Sequence, residues 1–426
     1  MCGMMQSKNQ SLFHCRGLLC LLLACCARHS LRAEDWPQYR GPQRNGTSAE
    51  PAWREGKSLQ IAWRAQVGKG HSAVSVAGDS AVTMGWDGEQ DSIVCLNVTN
   101  GQQRWKTTYP CKTILQWPGP RATPTIHAGR VFTLGQHGQL RAWDLANGKL
   151  VWQQDLPEKY NPDVDYGFCW SPLIVMAGKA PNLEHDLLIL NAGSHGLAIR
   201  ASDGSIAWGD DGQKGACVSA VPFRNGDSSG VLIVNINDER SAANVIGVEP
   251  LTGRELWRWN GWQEKWGALG VDPVVHSGRL FLTSAQEFRQ AARFTITGAT
   301  LKEDWSTNRV AGYTGAAVLL KDHLYLVDSR GLLKCIEWNS GNESWSQRGF
   351  DERGTLIAAG QQLLVQTGSS GKLVIVAADP AGFKQLDEVK VFTDKPETFT
   401  APTIAGGRIF CRSYAGEVVC LKRVND

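Results

Sequence analysis

No hydrophobic run in this 426-residue chain approaches the ~20 residues a helix needs to cross a bilayer. Residues 17–27 (GLLCLLLACCA) form an apolar stretch of 11. Excess charge is also scarce. The formal net charge is +3, and Lys8, Arg16, Arg28 and Arg32 sit in the first 33 residues with no acid among them. Without that segment, 40 basic residues face 41 acidic ones, and no basic run remains. Such a balance argues against nucleic acid or an anionic membrane surface as a partner. The nine histidines are single and far apart, so none forms a zinc-ligand pair. There is no Gly-x-Ser-x-Gly elbow for nucleophilic catalysis and no Cys-x-x-Cys-His for haem attachment. The acidic clusters DGEQD (87–91) and NDE (237–239) hold too few oxygens in the required order for a calcium loop and read as solvated turns.

The basic start, the short apolar core and the LRA (31–33) before Glu34 have the form of a secretory signal over residues 1–33. The alternative is a lipoprotein signal with Cys25 as the lipidated residue. Export to the periplasm or extracellular space is the expectation. Five of the 12 cysteines go with that segment and seven remain: 95, 111, 169, 217, 335, 411 and 420. An odd number leaves at least one free or intermolecular, although export permits disulfides.

What is abundant is glycine (46) and tryptophan (17). AWDLANGKLVW (142–152) ends a strand-like run, turns at Asn-Gly and lands on a tryptophan. The same pattern returns at 95–105, 198–208, 247–257 and 335–345. Each copy has a small residue, Gly six later and Trp four after that. Residues 294–305 are a degraded copy, and 376–386 ends in Leu386 instead of Trp. Two-residue periodicity around an Asn-Gly, Asp-Gly or Thr-Gly turn marks a β-hairpin. The slot occupants Trp63, Trp105, Trp152, Trp208, Trp257, Trp305, Trp345 and Leu386 recur every 40–56 residues. This is a propeller-like period of about four strands per unit. The prediction is an all-β, eight-bladed propeller of four-stranded antiparallel blades. Residues 59–67 supply only an outer strand and the C-terminus only three inner ones. The ring is therefore expected to close by joining them, which removes the exposed edges. Residues 34–58 are an entry segment and 59–426 the propeller.

The repeat A-x-D-x-x-T-G-x-x-x-W resembles that of the quinoprotein-type, PQQ-like propeller family, which includes BamB-like secreted bacterial proteins. DWPQYRGPQRNGTS (35–48), residues 119–152 and TAPTIAGGRIFCRS (400–413) extend the resemblance to nearly all of residues 35–424. Family members that use pyrroloquinoline quinone (PQQ) carry adjacent cysteines over the quinone, a calcium cluster and a catalytic Asp on long loops. Here the only adjacent cysteines are Cys25-Cys26 in the leader, and those insertions are missing. The resemblance thus implies neither cofactor nor metal. It implies a secreted, monomeric, non-catalytic binding or scaffold protein, acting in envelope protein assembly. The alternatives are a PQQ-dependent oxidoreductase and a carbohydrate or peptide receptor.

In a propeller, the loops entering the innermost strands form one rim. Thr123-Pro124, Ser171-Pro172, Asp272-Pro273 and Ala401-Pro402 align there, with Ser72, Ser219 and Thr355 in other blades. Asp272 is a carboxylate among small residues. His71, Arg121, Trp170, Asp272 and Tyr313 are the candidates for binding a protein partner or small ligand at the channel mouth. A two-residue turn at Ala415-Gly416 would also pair Cys411 with Cys420 closely enough for a disulfide.

Overall fold

Each repeat unit of the sequence is one four-stranded antiparallel sheet in the computed structural model. The model describes residues 34–51, 59–160, 166–209, 215–226, 228–236, 242–263, 271–284, 290–393 and 397–424. The leader with Cys25, the link 52–58 and the NDE cluster lie outside them. The sheets are blade one (75–110), two (125–155), three (173–208), four (221–263), five (274–307), six (318–348), seven (355–390) and eight (403–423 with 59–66). Among the described residues the helical structure is one short 3-10 turn, Glu158–Tyr160, and no helix is long and apolar enough to cross a membrane. The innermost strand has three residues in six of the eight blades, as crowding near the axis requires. Outer strands are wet: in Leu150–Asp155 only Trp152 is buried.

The recurring motif is explained by two contacts. Within a blade, the small residue lies directly opposite the tryptophan: Cys95 pairs with Trp105, Ala142 with Trp152, Ala198 with Trp208, Gly247 with Trp257 and Cys335 with Trp345. A Cβ added at Gly247 would come within 2.3 Å of the Trp257 indole, so the position excludes bulk. Between blades, the indoles of Trp63, Trp105, Trp152, Trp208 and Trp305 lie over the turn glycine of the next blade and donate their Nε1 hydrogen to the carbonyl three residues before it; Trp345 keeps only the hydrogen bond, to Asp379, and Trp257 has neither. Trp105 covers Gly148 and donates to Leu145 (2.8 Å); Trp152 covers Gly204 and donates to Ala201 (3.0 Å); Trp305 covers Gly341 and donates to Trp338 (3.0 Å). A one-residue register shift recurs beside this slot in the outer hairpin of all eight blades. Buried indoles thus join sheets, and at every one of these joints but that of Trp257 a hydrogen-bond partner satisfies the one polar atom.

The ring closes as expected. Leu59–Gln66 pairs antiparallel with Glu417–Arg423, with Ile61 opposite Leu421 and Trp63 opposite Cys420. Trp63 then docks on Gly101 of blade one and donates to Val98 (2.9 Å), so the seam uses the same contact as the other joints.

Two expectations fail. The last hairpin has a three-residue loop. Gly416 donates to Ser413, Ser413 donates to Glu417, and Gly416 takes φ +94°. Cys411 is therefore opposite Val419, and Cys420 opposite Phe410. The one-residue slip sends the two sulfurs to opposite faces of the sheet, and both thiols are free and buried. Secondly, DGEQD is not a purely solvated turn. Asp91 is fully buried and accepts from Gln136 Nε2 (2.9 Å) and Tyr109 (3.2 Å). Burial raises its pKa to about 6.

Candidate functional site: a blind cup at the axis

Residues 34–51 line and block the axial channel. Trp36 exchanges backbone hydrogen bonds with Val76 of blade one (2.9 and 2.8 Å), and Pro37 accepts from Ile126 of blade two (2.7 Å). Arg44 donates to Ser171 (2.5 Å) and Pro172 (2.9 Å) entering blade three, and Arg40 to Ala317 (2.7 Å) entering blade six. Thr47–Ser48 adds a parallel strand to the inner edge of blade seven. Glu50 accepts from Gly407 of blade eight (3.0 Å). The channel is thereby converted into a cup of about 310 Å³, with Tyr39 and Arg40 of the plug among its lining residues.

Above the plug, the slot residues form a chain of hydrogen bonds from blade to blade. Ala73 N donates to Thr123 Oγ1 (3.1 Å), Thr123 N to Ser171 Oγ (2.9 Å), Ser171 N to Ser219 Oγ (3.0 Å), and Ser219 N to Asp272 Oδ1 (2.7 Å). The hydroxyls are therefore joints as well as lining. In blade one, Ala73 rather than Ser72 holds the slot. Asp272 performs the hydroxyl's task with a carboxylate.

Two residues before the slot, the extended backbone turns the next side chain into the cup. His71, Arg121, Cys169, Cys217, Thr314, Arg353 and Phe399 hold this position and all line it. Asp272 and Tyr313 join them, so four of the five expected site residues come together. Trp170 does not. It is fully buried in the core shared by blades two and three, and its indole donates to Ala216 (2.7 Å) at the entry to blade four. One residue out of step along an extended segment, it faces away while Cys169 and Ser171 face in. Tyr39, Arg40, Trp117, Arg353 and Phe399 were not singled out from sequence. Counting two residues back from the slot in every blade would have found Arg353 and Phe399.

One wall is aromatic. His71 lies 4.7 Å from Phe399 and 4.8 Å from Tyr414, and Trp117 lies 5.6 and 5.5 Å from the same rings. The Arg353 guanidinium lies 4.9 Å from the Phe399 ring, and that of Arg121 lies 5.4 Å from Tyr166. The surroundings are electropositive. His71 is pushed well below its usual range by burial and by Arg121, Arg412 and Arg353. Burial lowers Arg121, and takes Arg44 to about 10 and Arg412 to about 9. Tyr39 is raised by burial and by the neighbouring Asp272 carboxylate.

A family model described as outer membrane protein assembly factor BamB matches residues 89–347. BamB of Shewanella oneidensis is 22% identical over 255 residues, 58% of this chain and 61% of that protein. The match thus spans about three-fifths of that relative's length. Among solved structures, BamB from Moraxella catarrhalis superposes with a TM-score of 0.60 at 15% identity, covering 86% of this chain and 98% of that one. A quinohemoprotein alcohol dehydrogenase from Comamonas testosteroni also reaches 0.60 at 13% identity, covering 91% and 80%. A europium-containing methanol dehydrogenase reaches 0.60 at 12%, covering 87% of each. These structural likenesses establish the propeller fold shared by scaffolds and enzymes. The sequence match over more than half of the chain places it in the family of the outer membrane protein assembly factor BamB.

Proposed function

We propose that this chain is an exported, non-catalytic binding or scaffold protein of envelope protein assembly, and that the axial cup is its ligand site. The observation that carries the reading is the cup itself. A plug closes the channel, and seven blades present side chains from one equivalent position into the space above it. Concave, aromatic-lined sites with a few polar groups are where proteins bind ligands. The family supplies the envelope context. The test is deletion of the gene in its host, followed by quantification of outer-membrane proteins and complementation with cup variants. Unchanged outer-membrane protein levels would refute the assembly role.

An oxidoreductase with a bound quinone is the second reading, favoured by the dehydrogenase folds alone. The residues fit that group poorly. Among the described residues, Trp117 meets Phe399 at 64° and Tyr414 at 72°, so these rings pack edge to face on one another rather than as a parallel pair. Cys169 and Cys217 come from different blades and are not adjacent in sequence. Dye reduction after addition of PQQ and calcium to the purified protein is expected to stay at background. Turnover above it would establish the enzyme.

A further inference from the structure

We propose that the cup binds an organic carboxylate on an apolar body, with Arg121, Arg40 and Arg353 as the groups that receive the anion. This rests on reading the cup as a ligand site and names the chemistry of the ligand. The argument is an unbalanced charge. Every hydrogen bond donated by four guanidiniums around the axis ends on a neutral acceptor. Arg121 donates to Trp117 and Gly119 carbonyls (2.8 and 3.5 Å). Arg40 donates to Asn45 and Ala317 carbonyls (2.9 and 2.7 Å). Arg44 donates to Gln38, Ser171 and Pro172 oxygens. Arg412 donates to Ser72 and Gly68 carbonyls and Thr83 Oγ1. Arg40, Arg44 and Arg412 are 7%, 3% and 2% exposed. Buried cations without a counter-charge are costly. Among the described residues, the carboxylates paired near the axis are Asp272, already holding Ser219 N, and Glu397 and Glu352, both on Arg353 (3.2 and 3.7 Å). They do not offset five guanidiniums.

An unused donor accompanies the charge. Arg40 Nη1 is buried with no hydrogen-bond partner, and Arg353 Nε makes no hydrogen bond but faces Glu352 at 3.7 Å; both residues line the cup. Arg121 lines it too and is half-buried. Guanidinium geometry suits a carboxylate bidentately. The remaining wall, with Trp117, Tyr166, Tyr313 and Phe399, suits an apolar or aromatic body. The lowered His71 pKa agrees with a positive potential at the same place. The carboxylate has two sources with one chemistry: a free small acid, or the C-terminus of a polypeptide ending in an apolar residue.

The experiment is isothermal titration of the full mature chain with four probes. Phenylacetate and phenylacetamide represent the free acid and its neutral twin. N-acetyl-Gly-Gly-Leu with a free or an amidated C-terminus represents the chain end. At least one acid is expected to bind in the sub-millimolar range, about tenfold or more above its amide. The acid that binds identifies the source. Arg121→Gln should weaken that acid by about tenfold or more and leave the amide unchanged. Arg353→Gln is the second variant, and Arg200→Gln, on an exposed cation outside the cup, should change nothing. Bound acid should also raise the His71 imidazole pKa, read by NMR. Equal binding of acid and amide, binding that Arg121→Gln leaves intact, or no binding by either acid would overturn the proposal. If neither acid binds but cup variants still fail to restore outer-membrane protein levels, the assembly reading survives while the carboxylate falls. If an acid binds and deletion leaves the envelope unaltered, the reverse holds.

Discussion

Replacing Gly148 with alanine tests whether the blades are held by indoles seated on turn glycines. Gly148 has φ +71°, where an L-residue costs about 1–2 kcal/mol. The new Cβ would lie 2.6 Å from Cε3 and 2.8 Å from Cδ2 of Trp105. That indole is held at its other edge by its 2.8 Å hydrogen bond to Leu145. Swinging away forfeits the bond, worth about 1 kcal/mol, and staying overpacks the joint at about 1–3 kcal/mol. The expected loss is about 2–5 kcal/mol. Gly129 supplies the control: φ is +74°, and nothing lies within 4 Å of an added Cβ. Gly129→Ala should lose only the conformational term of about 1–2 kcal/mol. Guanidinium unfolding, followed by fluorescence and circular dichroism to check that one transition is seen, gives both values. If the two variants agree within about 0.5 kcal/mol, the clash is absent and the docking account is wrong.

Trp257 Nε1 is buried without an acceptor, so Trp257→Phe should cost about 1 kcal/mol less than Trp105→Phe in the same unfolding assay. Arg44→Ala removes the bonds to Ser171 and Pro172 that hold the plug, and should cost about 2–4 kcal/mol and open the Arg40–Gly41 bond to trypsin. A variant as stable and resistant as the parent would show that the plug is not held there. Asp91 has a folded pKa of about 6, above its unfolded value of about 3.9, so the folded state disfavours its charge. Wild-type stability should therefore fall by up to about 3 kcal/mol as pH rises from about 4 to 6, and then level off. Asp91→Asn should remove that slope, so its stability relative to wild type should increase over the same window. Alkylation after denaturation without reductant should find Cys411 and Cys420 unlinked; a 411–420 peptide would overturn the observed register.

The eight-bladed architecture was legible because its signals are local and repeated. A turn glycine, a small residue six before it and a tryptophan four after it fall within 11 residues, and the unit recurs around the chain. Even the closure by Leu59–Gln66 could be read, since each terminus carried a complementary fraction of one unit. Parity was less secure. Trp170 and the pair Cys411/Cys420 were each misplaced by one position, because extended chain alternates faces and Ala415-Gly416 suits a two- or three-residue loop equally well.

What the sequence by itself determined was the blade and the number of its copies, down to the residue type at each joint. Hairpin formation depends on neighbours a few residues apart, and period repeats the evidence. Only the tertiary structure decided that residues 34–51 plug the axis and that Tyr39 and Arg40 meet Arg121 and Arg353 in one cup. The plug is a single-copy segment whose partners lie on many blades, among them Arg40 with Ala317, 277 residues away, and Arg44 with Ser171, 127 away. No local propensity encodes such contacts; they exist once the ring has closed and brought its inner strands around one axis.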